Sequence, residues 1–507
     1  MPPRPGDMLD LDVTTLAYGG RGVARVDDFV VFVRGALPGD RVRARVTKRK
    51  RRHAEARAVE LLRPSAERVA PRCRHAGECG GCEWQSLAYA RQLEAKQSQV
   101  VEALAHLGGL DDYELEPILG MPDPWRYRNK MEFSFGADEG RLVLGLHRKG
   151  SWREIVEVED CLLASERMNA ARAAVAAAAR ELGLTVYDRG RGSPAGDDGG
   201  TRRRADGDAP AAPGAAEASS GAEAADGSSG TEAAGGSAES DGGLLRHLVV
   251  REGRASGDLL LNLFVRRRFP EEQALVEAVM ARCPVTSFAV TVNASPADAA
   301  VGDGPHMLAG PPSLRERLAG VDLRVPATAF LQTNTQMTDV LYETAAGFAG
   351  PSPGAHAVDL YCGIGSFSLR LARDAAHVTG IELQPEAVEA ARVNADLNGA
   401  AHAAFFAGDV RRLLKDPSAV DLDPAAAPPE VVTVDPPRAG LVRKALQRAA
   451  ALGAERFVYI SCNPTTLAGN ARELGDLGYR LTRVRPVDMF PHTHHVETVA
   501  LFVRTEV

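Results

Sequence analysis

The chain opens on short stretches in which apolar and polar residues alternate. LDLDVTTLAY is followed by the turn GGRG, then by GVARVDDFVVFVRG with an Asp-Asp turn inside it, then by DRVRARVTKRK and ARAVELL. Alternation with period two marks strands that bury one face, and glycine punctuation at this spacing predicts a small OB-like β-barrel over residues 1–65. From 66 to 325 the pattern is mixed and predicts an α+β domain: a helix at 84–107, strands RYRNKMEFSFG and LVLGLHRKG, an Ala-rich helix at 164–182, and strands RHLVVREG and DLLLNLFVR. Residues 190–243 interrupt this domain with no Val, Ile, Leu, Met, Phe, Tyr, Trp or Cys. Such a segment buries too little to offset its ordering entropy, so a disordered insertion is expected. From 326 to 507 the strands HAVDLYC, HVTGIE, AAFFAGD, EVVTVDPP and RFVYISC are separated by amphipathic or Ala-rich helices. That is the pattern of a Rossmann-like α/β domain, a parallel sheet covered on both faces. YRLTRVRPVDMFP and HVETVALFVR follow without an intervening helix and predict a terminal β-hairpin.

A length of 507 residues agrees with two or three hydrophobic cores. No apolar run reaches the roughly 18 residues of a membrane span, and the opening MPPRPGDMLDLD has no signal-peptide core, so a cytoplasmic, membrane-free protein is expected. Seven cysteines without a secretion signal point to thiol chemistry or metal ligation rather than disulfides. The net charge of −7 speaks against a nucleic-acid partner, but residues 41–57 hold nine Lys or Arg against a single Glu55. Such a run keeps an exposed strand soluble or meets phosphate. The first 65 residues resemble a TRAM domain, a module that holds RNA, and the resemblance implies that the basic run contacts an RNA backbone. Arg126, Arg128 and Lys130 alternate along one strand and offer a face to solvent or to phosphate.

Candidate chemistry gathers in the last domain. Asp359-Leu-Tyr361-Cys362-Gly-Ile-Gly-Ser366-Phe joins the first strand to the next helix, where glycines let a ligand approach a helix N-terminus. Glu382 ends the second strand, where a carboxylate can accept hydrogen bonds from both ribose hydroxyls, and Asp409 ends the third, near an adenine. A dinucleotide or sugar-nucleotide site on the same scaffold is the alternative. The fourth strand ends in Asp435-Pro-Pro-Arg438; amino-group methyltransferases carry an aromatic where this arginine stands, which disfavours adenine methylation.

Ser461-Cys462-Asn463-Pro464 follows the fifth strand, so Cys462 lies at the carboxyl edge of the sheet, while Cys362 and Cys283 read as inert core. Carbon 5 of uracil is a poor nucleophile until a thiolate adds to carbon 6 and turns the ring into an enolate. A base must then remove the proton from carbon 5. Glu497, in His494-His495-Val496-Glu497, alternates with apolar neighbours on a strand expected to be buried, where a carboxylate is costly unless paired or functional. A structural ion pair is the plainer reading of the same residue.

VPATAFLQTNTQ, DLYCGIGSF, DPPRAG, SCNP and PHTHHVETV occur in this order and together resemble the RNA 5-methyluridine methyltransferases of the RumA and TrmA type. The resemblance implies Cys462 as nucleophile and Glu497 as base, with Gln332, Tyr361, Glu382 and Asp435 on S-adenosylmethionine. It also implies Ser366 and Asp409 as cofactor contacts, at positions where relatives often carry asparagine, and His492, His494 and His495 as supporting residues. Cys73, Cys79 and Cys82 form C-x5-C-x2-C, with Cys161 further on. Four thiolates suit tetrahedral zinc or a cubane cluster equally. The resemblance implies a structural [4Fe-4S] cluster, with zinc as the alternative. A barrel combined with this cysteine set resembles the ribosomal RNA enzymes more than the bacterial transfer RNA ones, so ribosomal RNA is the expected substrate, with transfer RNA as the alternative; a monomer is expected. Two further alternatives are an RNA cytosine-5 methyltransferase and a non-enzymatic iron–sulfur RNA-binding protein.

Overall fold

A computed structural model describes residues 2–188, 243–295, 299–422 and 427–505; the insertion expected over 190–243 lies, but for Gly243, outside the described residues. The first six strands are β1 (Met8–Asp12), β2 (Thr15–Leu16), β3 (Gly22–Val26), β4 (Phe29–Arg34), β5 (Arg41–Arg49) and β6 (His53–Arg63). They form one sheet in the order β1-β5-β6-β4-β3-β2. One face buries Leu11, Val31, Val33, Val42, Val46 and Ala54 together. A single layer that packs on its own face must curl, which is the barrel the alternation predicts.

A two-residue strand, β7 (Glu114–Leu115), precedes the central strands β8 (Lys130–Asp138), β9 (Arg141–His147), β10 (Ile155–Glu157), β11 (Leu245–Glu252), β12 (Leu259–Val265), β13 (Ser287–Val292) and β14 (His306–Ala309). These seven form a sheet in the order β10-β9-β8-β11-β12-β13-β14. The middle strands β11 and β12 are buried at every position, including the polar Arg246, His247, Arg251 and Asn262. Helix Glu166–Glu181 packs on β9 and β11, and its N-cap Ser165 accepts from the Met168 amide. The helix expected at 84–107 begins later, at Tyr89, and ends in a π-turn over Leu104–Gly108. Residues 84–88 are a turn instead, whose Trp84 and Leu87 pack with Leu16 and Leu37 of the barrel. Their i, i+3 spacing mimics a helical stripe but serves this contact.

The hairpin β15 (Ser313–Leu318) and β16 (Val321–Pro326) leads into the last sheet and packs on helix Pro385–Leu397, where the Arg324 amide donates to Asn394 Oδ1 at 2.7 Å. That sheet contains β17 (His356–Leu360), β18 (His377–Glu382), β19 (Ala403–Ala407), β20 (Val431–Val434), β21 (Arg456–Ser461), β22 (Tyr479–Val487) and β23 (Glu497–Arg504). The order is β19-β18-β17-β20-β21-β23-β22-β7. Strands β17 to β21 are parallel, and β23 runs antiparallel between β21 and β22, the expected terminal hairpin. β7 adds an edge strand that the sequence pattern does not reveal. The order reverses at β17, so the cleft over its carboxyl end is the place for a ligand. Among the described residues no helix is long and apolar enough to cross a membrane.

Candidate active site

The turn after β17 is shaped by backbone that few residues tolerate. Tyr361 has φ of 66° and Gly365 φ of 79°. A Cβ on Gly365 would come within 3.0 Å of Phe405 and 3.1 Å of Ala391, so glycine is required there on two counts. The turn opens a cavity lined by Phe330, Gln332, Tyr361, Gly363, Ser366 and Asp435. Four of the six residues expected on the cofactor stand in this wall. Glu382 sits beside it and accepts the Gly363 amide at 3.1 Å. Asp409 does not line it: it caps a short helix and grips Arg411 Nε at 3.0 Å, and that guanidinium holds its carboxyl below the ordinary range.

The loop carrying Gln332 is fixed from the central sheet, since Asn129 Nδ2 donates to the Gln332 carbonyl at 3.0 Å and to Thr335 Oγ1 at 2.9 Å. Gln332 Nε2 in turn reaches Asp435 at 3.4 Å. Burial and the nearby Asp359 push the Asp435 carboxyl up to about 7. Asp359, buried beneath the turn and bonded to Ser368 at 2.5 Å and Thr433 at 2.7 Å, is itself raised by burial to about 6. Ser366 shares a hydrogen bond with the buried Tyr342 hydroxyl at 2.9 Å.

Cys462 follows β21 directly and is half-buried. Asn463 caps the next helix by accepting the Thr465 amide at 3.0 Å, with Pro464 at the first helical position, so the chain turns sharply at the sulfur. Ser461 pairs with Thr498 across the antiparallel ladder, which brings the next residue on one strand, Cys462, beside the preceding one on the other, Glu497. Glu497 is 3 % exposed, and its Oε2 has no hydrogen-bond partner among the described residues. Burial and Asp435 raise its carboxyl well above the ordinary range. Burial, Glu497 and Asp435 raise the Cys462 thiol in the same way, while the Arg438 guanidinium opposes the shift. Arg438 also donates to His495 Nδ1 at 2.8 Å. Burial holds His492 down to about 4 and His495 to about 2, so both rings are neutral.

A family model described as tRNA (Uracil-5-)-methyltransferase matches residues 317–505, and the TRAM domain model matches residues 3–59. A Halalkalibacterium halodurans protein described as an uncharacterized RNA methyltransferase is 33 % identical over 502 residues, spanning 99 % of this chain and 98 % of that one. The chain belongs to the RNA uracil-5 methyltransferase family. A second uncharacterized RNA methyltransferase, from Chlorobaculum tepidum, is 34 % identical over 524 residues, with 99 % and 98 % covered. The crystal structure of the Pyrococcus abyssi tRNA (uracil-54, C5)-methyltransferase with S-adenosyl-L-homocysteine superposes with a TM-score of 0.70, at 25 % identity, over 98 % of this chain and 100 % of that one. The protein is thus an RNA uracil-5 methyltransferase with an N-terminal TRAM domain, and S-adenosylmethionine is its methyl donor. This membership sets aside the cytosine-5 and non-enzymatic alternatives.

The cysteine set of this RNA uracil-5 methyltransferase is less closed than its cleft. Cys79 and Cys82 each feel the charge of Cys161, and Cys79 that of Cys73, so the four sulfurs share one neighbourhood. Among the described residues, however, no three His, Cys, Asp or Glu stand close enough together to hold a metal ion. As a donor set, three thiols from one loop and a fourth, buried Cys161, from the loop after β10 fit a soft metal or a cluster. The sequence pattern singles out neither Tyr342 nor Phe330, and it gives Asp359 no role beyond its place at the head of the glycine-rich motif. Asp359 was legible in principle, being an acid inside an otherwise apolar strand.

Proposed function

We propose that Cys462 is the nucleophile and Glu497 the base of uridine carbon-5 methylation. The supporting observation is the juxtaposition of a thiol and an unpartnered, buried carboxyl oxygen at the sheet edge beside the cavity. Gln332, Tyr361, Ser366, Glu382 and Asp435 would hold S-adenosylmethionine, which supplies an electrophilic methyl group when bound; Asp409 contributes only if it lets go of Arg411. Cys462 Sγ gives its proton to the surroundings as it bonds to carbon 6, and the ring electrons move to the carbon-4 oxygen as an enolate. Glu497 takes the carbon-5 proton after alkylation, and the returning electrons expel the thiolate. The target base must leave its stack to reach this edge. Cys462→Ala should abolish methylation and retain S-adenosylmethionine binding by calorimetry. Glu497→Gln should accumulate a protein–RNA adduct on a denaturing gel. Activity in the first variant, or no adduct in the second, refutes the assignment.

The four cysteines Cys73, Cys79, Cys82 and Cys161 are proposed to hold a structural [4Fe-4S] cluster, with zinc as the rival ligand. Elemental analysis of protein purified without oxygen separates the two, at about four irons or one zinc per chain. Ribosomal RNA is the proposed target, on the strength of the barrel and cysteine set together, and a monomer the proposed state. The full-length likeness to a tRNA (uracil-54, C5)-methyltransferase favours transfer RNA as the second reading. Mass-spectrometric mapping of methylated uridines in cells with and without the protein decides between them.

A further inference from the structure

The turn between β2 and β3 of the barrel is only partly open to solvent, with Gly19 alone exposed among Ala17–Arg21. Leu16 and Leu37 pack with Trp84 and Leu87. Gln99 Nε2, from helix Tyr89–Ala103, donates to the carbonyls of Leu16 at 3.2 Å and Ala17 at 3.3 Å. The turn closes through the Gly20 amide to the Ala17 carbonyl at 3.1 Å, with Gly19 at φ of 89°. A Cβ on Gly20 would lie 3.2 Å from Glu83 Oε2 and 3.4 Å from the His494 side chain. The turn is therefore pressed onto the loop that carries the catalytic-hairpin histidines, and Glu83 bonds His494 on its far side. At its tip, the half-buried Tyr18 donates its hydroxyl to the Cys462 carbonyl at 3.3 Å, and its ring meets His494 edge-on at 6.1 Å.

We infer that Tyr18 is a positioning residue for the nucleophile: by holding the Cys462 carbonyl it fixes the peptide from which the thiol projects, so that the RNA-holding barrel completes the catalytic cleft. The inference rests on Cys462 being the nucleophile. Three observations carry it. The barrel is anchored at this spot by an apolar contact and by Gln99, so the turn is not free to swing. Cys462 sits one residue past the end of β21, beyond the last ladder pair, Ser461 with Thr498, so its carbonyl lies where the sheet gives out. Tyr18 also faces the charges of Arg438, Cys462 and Glu497, which places its hydroxyl beside the reacting groups rather than on the outer barrel wall.

The test uses the full-length protein, S-adenosylmethionine and RNA carrying 5-fluorouridine at its uridine positions; once methylated, carbon 5 has no proton to lose and the adduct persists. Tyr18→Phe keeps the ring and removes only the donor. It should slow adduct formation at saturating RNA by about fivefold to tenfold, the worth of one neutral hydrogen bond, with RNA affinity and thermal midpoint unchanged. Tyr18→Ala should slow it at least as much. An unchanged rate at saturation in Tyr18→Phe overturns the inference, and so does a loss of RNA affinity with the saturated rate intact, which would make Tyr18 an RNA-gripping residue. Cys462→Ala, run beside it, tests the nucleophile separately: adduct in that variant removes the underlying reading, whereas its absence together with a fully active Tyr18→Phe removes only the role of Tyr18.

Discussion

Lys96 and Asp488 form an ion pair of 2.5 Å in which both side chains are 0 % exposed. Lys96 Nζ also donates to the Phe490 carbonyl at 3.0 Å, and Asp488 accepts from the Tyr89 hydroxyl at 2.8 Å and the Phe490 amide at 3.2 Å. The pair ties helix Tyr89–Ala103 to the loop between β22 and β23, which holds His492 and leads into Glu497. Lys96→Met preserves most of the aliphatic volume but leaves a buried carboxylate with two neutral donors and the Phe490 carbonyl without its cation. Breaking one side of such a pair costs about 3–5 kcal/mol, because the surviving charge stays desolvated. Asp488→Asn alone should cost a comparable amount. The double variant should cost less than the sum by about 1–3 kcal/mol, since it removes the stranded charge. Urea denaturation followed by circular dichroism at neutral pH reads these values. A loss below about 1 kcal/mol for Lys96→Met, or strict additivity in the double variant, would show that the loop does not depend on this pair.

Other consequences are equally direct. Asp359 binds a proton more tightly folded than unfolded, so its contribution to stability falls as pH climbs from about 4 to about 6 and stays lost above; Asp359→Asn should remove up to ~3 kcal/mol of that slope, read as a smaller fall in thermal midpoint between pH 4.5 and 7.5 than in the parent. Because Arg438 opposes the rise of the Cys462 thiol, Arg438→Gln should slow adduct formation near neutral pH by about tenfold and recover part of it under alkaline conditions, a profile that a pH series in stopped assays measures. Arg34, Arg57 and Arg45 lie opposite one another across β4, β6 and β5 on the exposed face, a like-charge row that an anion would relieve. Replacing all three with Gln should weaken RNA binding and reduce the salt slope of log K by about 2–3, with no loss of folding stability; an unchanged slope would take the RNA off this face.

Much of the catalytic sheet is readable because each chemical group sits at the carboxyl end of its own strand, so motif and element arrive together: Tyr361 after β17, Glu382 at the end of β18, Asp435 after β20 and Cys462 after β21. The barrel is readable for a similar reason, its alternation being local to each strand. Asp409 shows the limit of this logic, since its partner Arg411 lies two residues on and gives the carboxylate a helix-cap role that its place after β19 does not reveal. The central domain is less legible: its sheet joins β8 to β11 across the insertion, a pairing that no local pattern specifies. The elements that close the cleft are more distant still, with Tyr18 and Cys462 separated by 444 residues and Lys96 and Asp488 by 392. Periodicity carries no information about such contacts, because each side satisfies its own local rule as a turn tyrosine or a polar helix residue. The buried Lys96 nonetheless leaves a physical trace, since a fully desolvated ammonium on a helix needs an anion somewhere in the fold. That requirement, together with the unpaired Glu497 oxygen, makes the loop between β22 and β23 the point where helix, barrel turn and catalytic sheet meet. Loosening any one of the three should therefore be felt first at Cys462, as slower adduct formation with the methyl donor still bound.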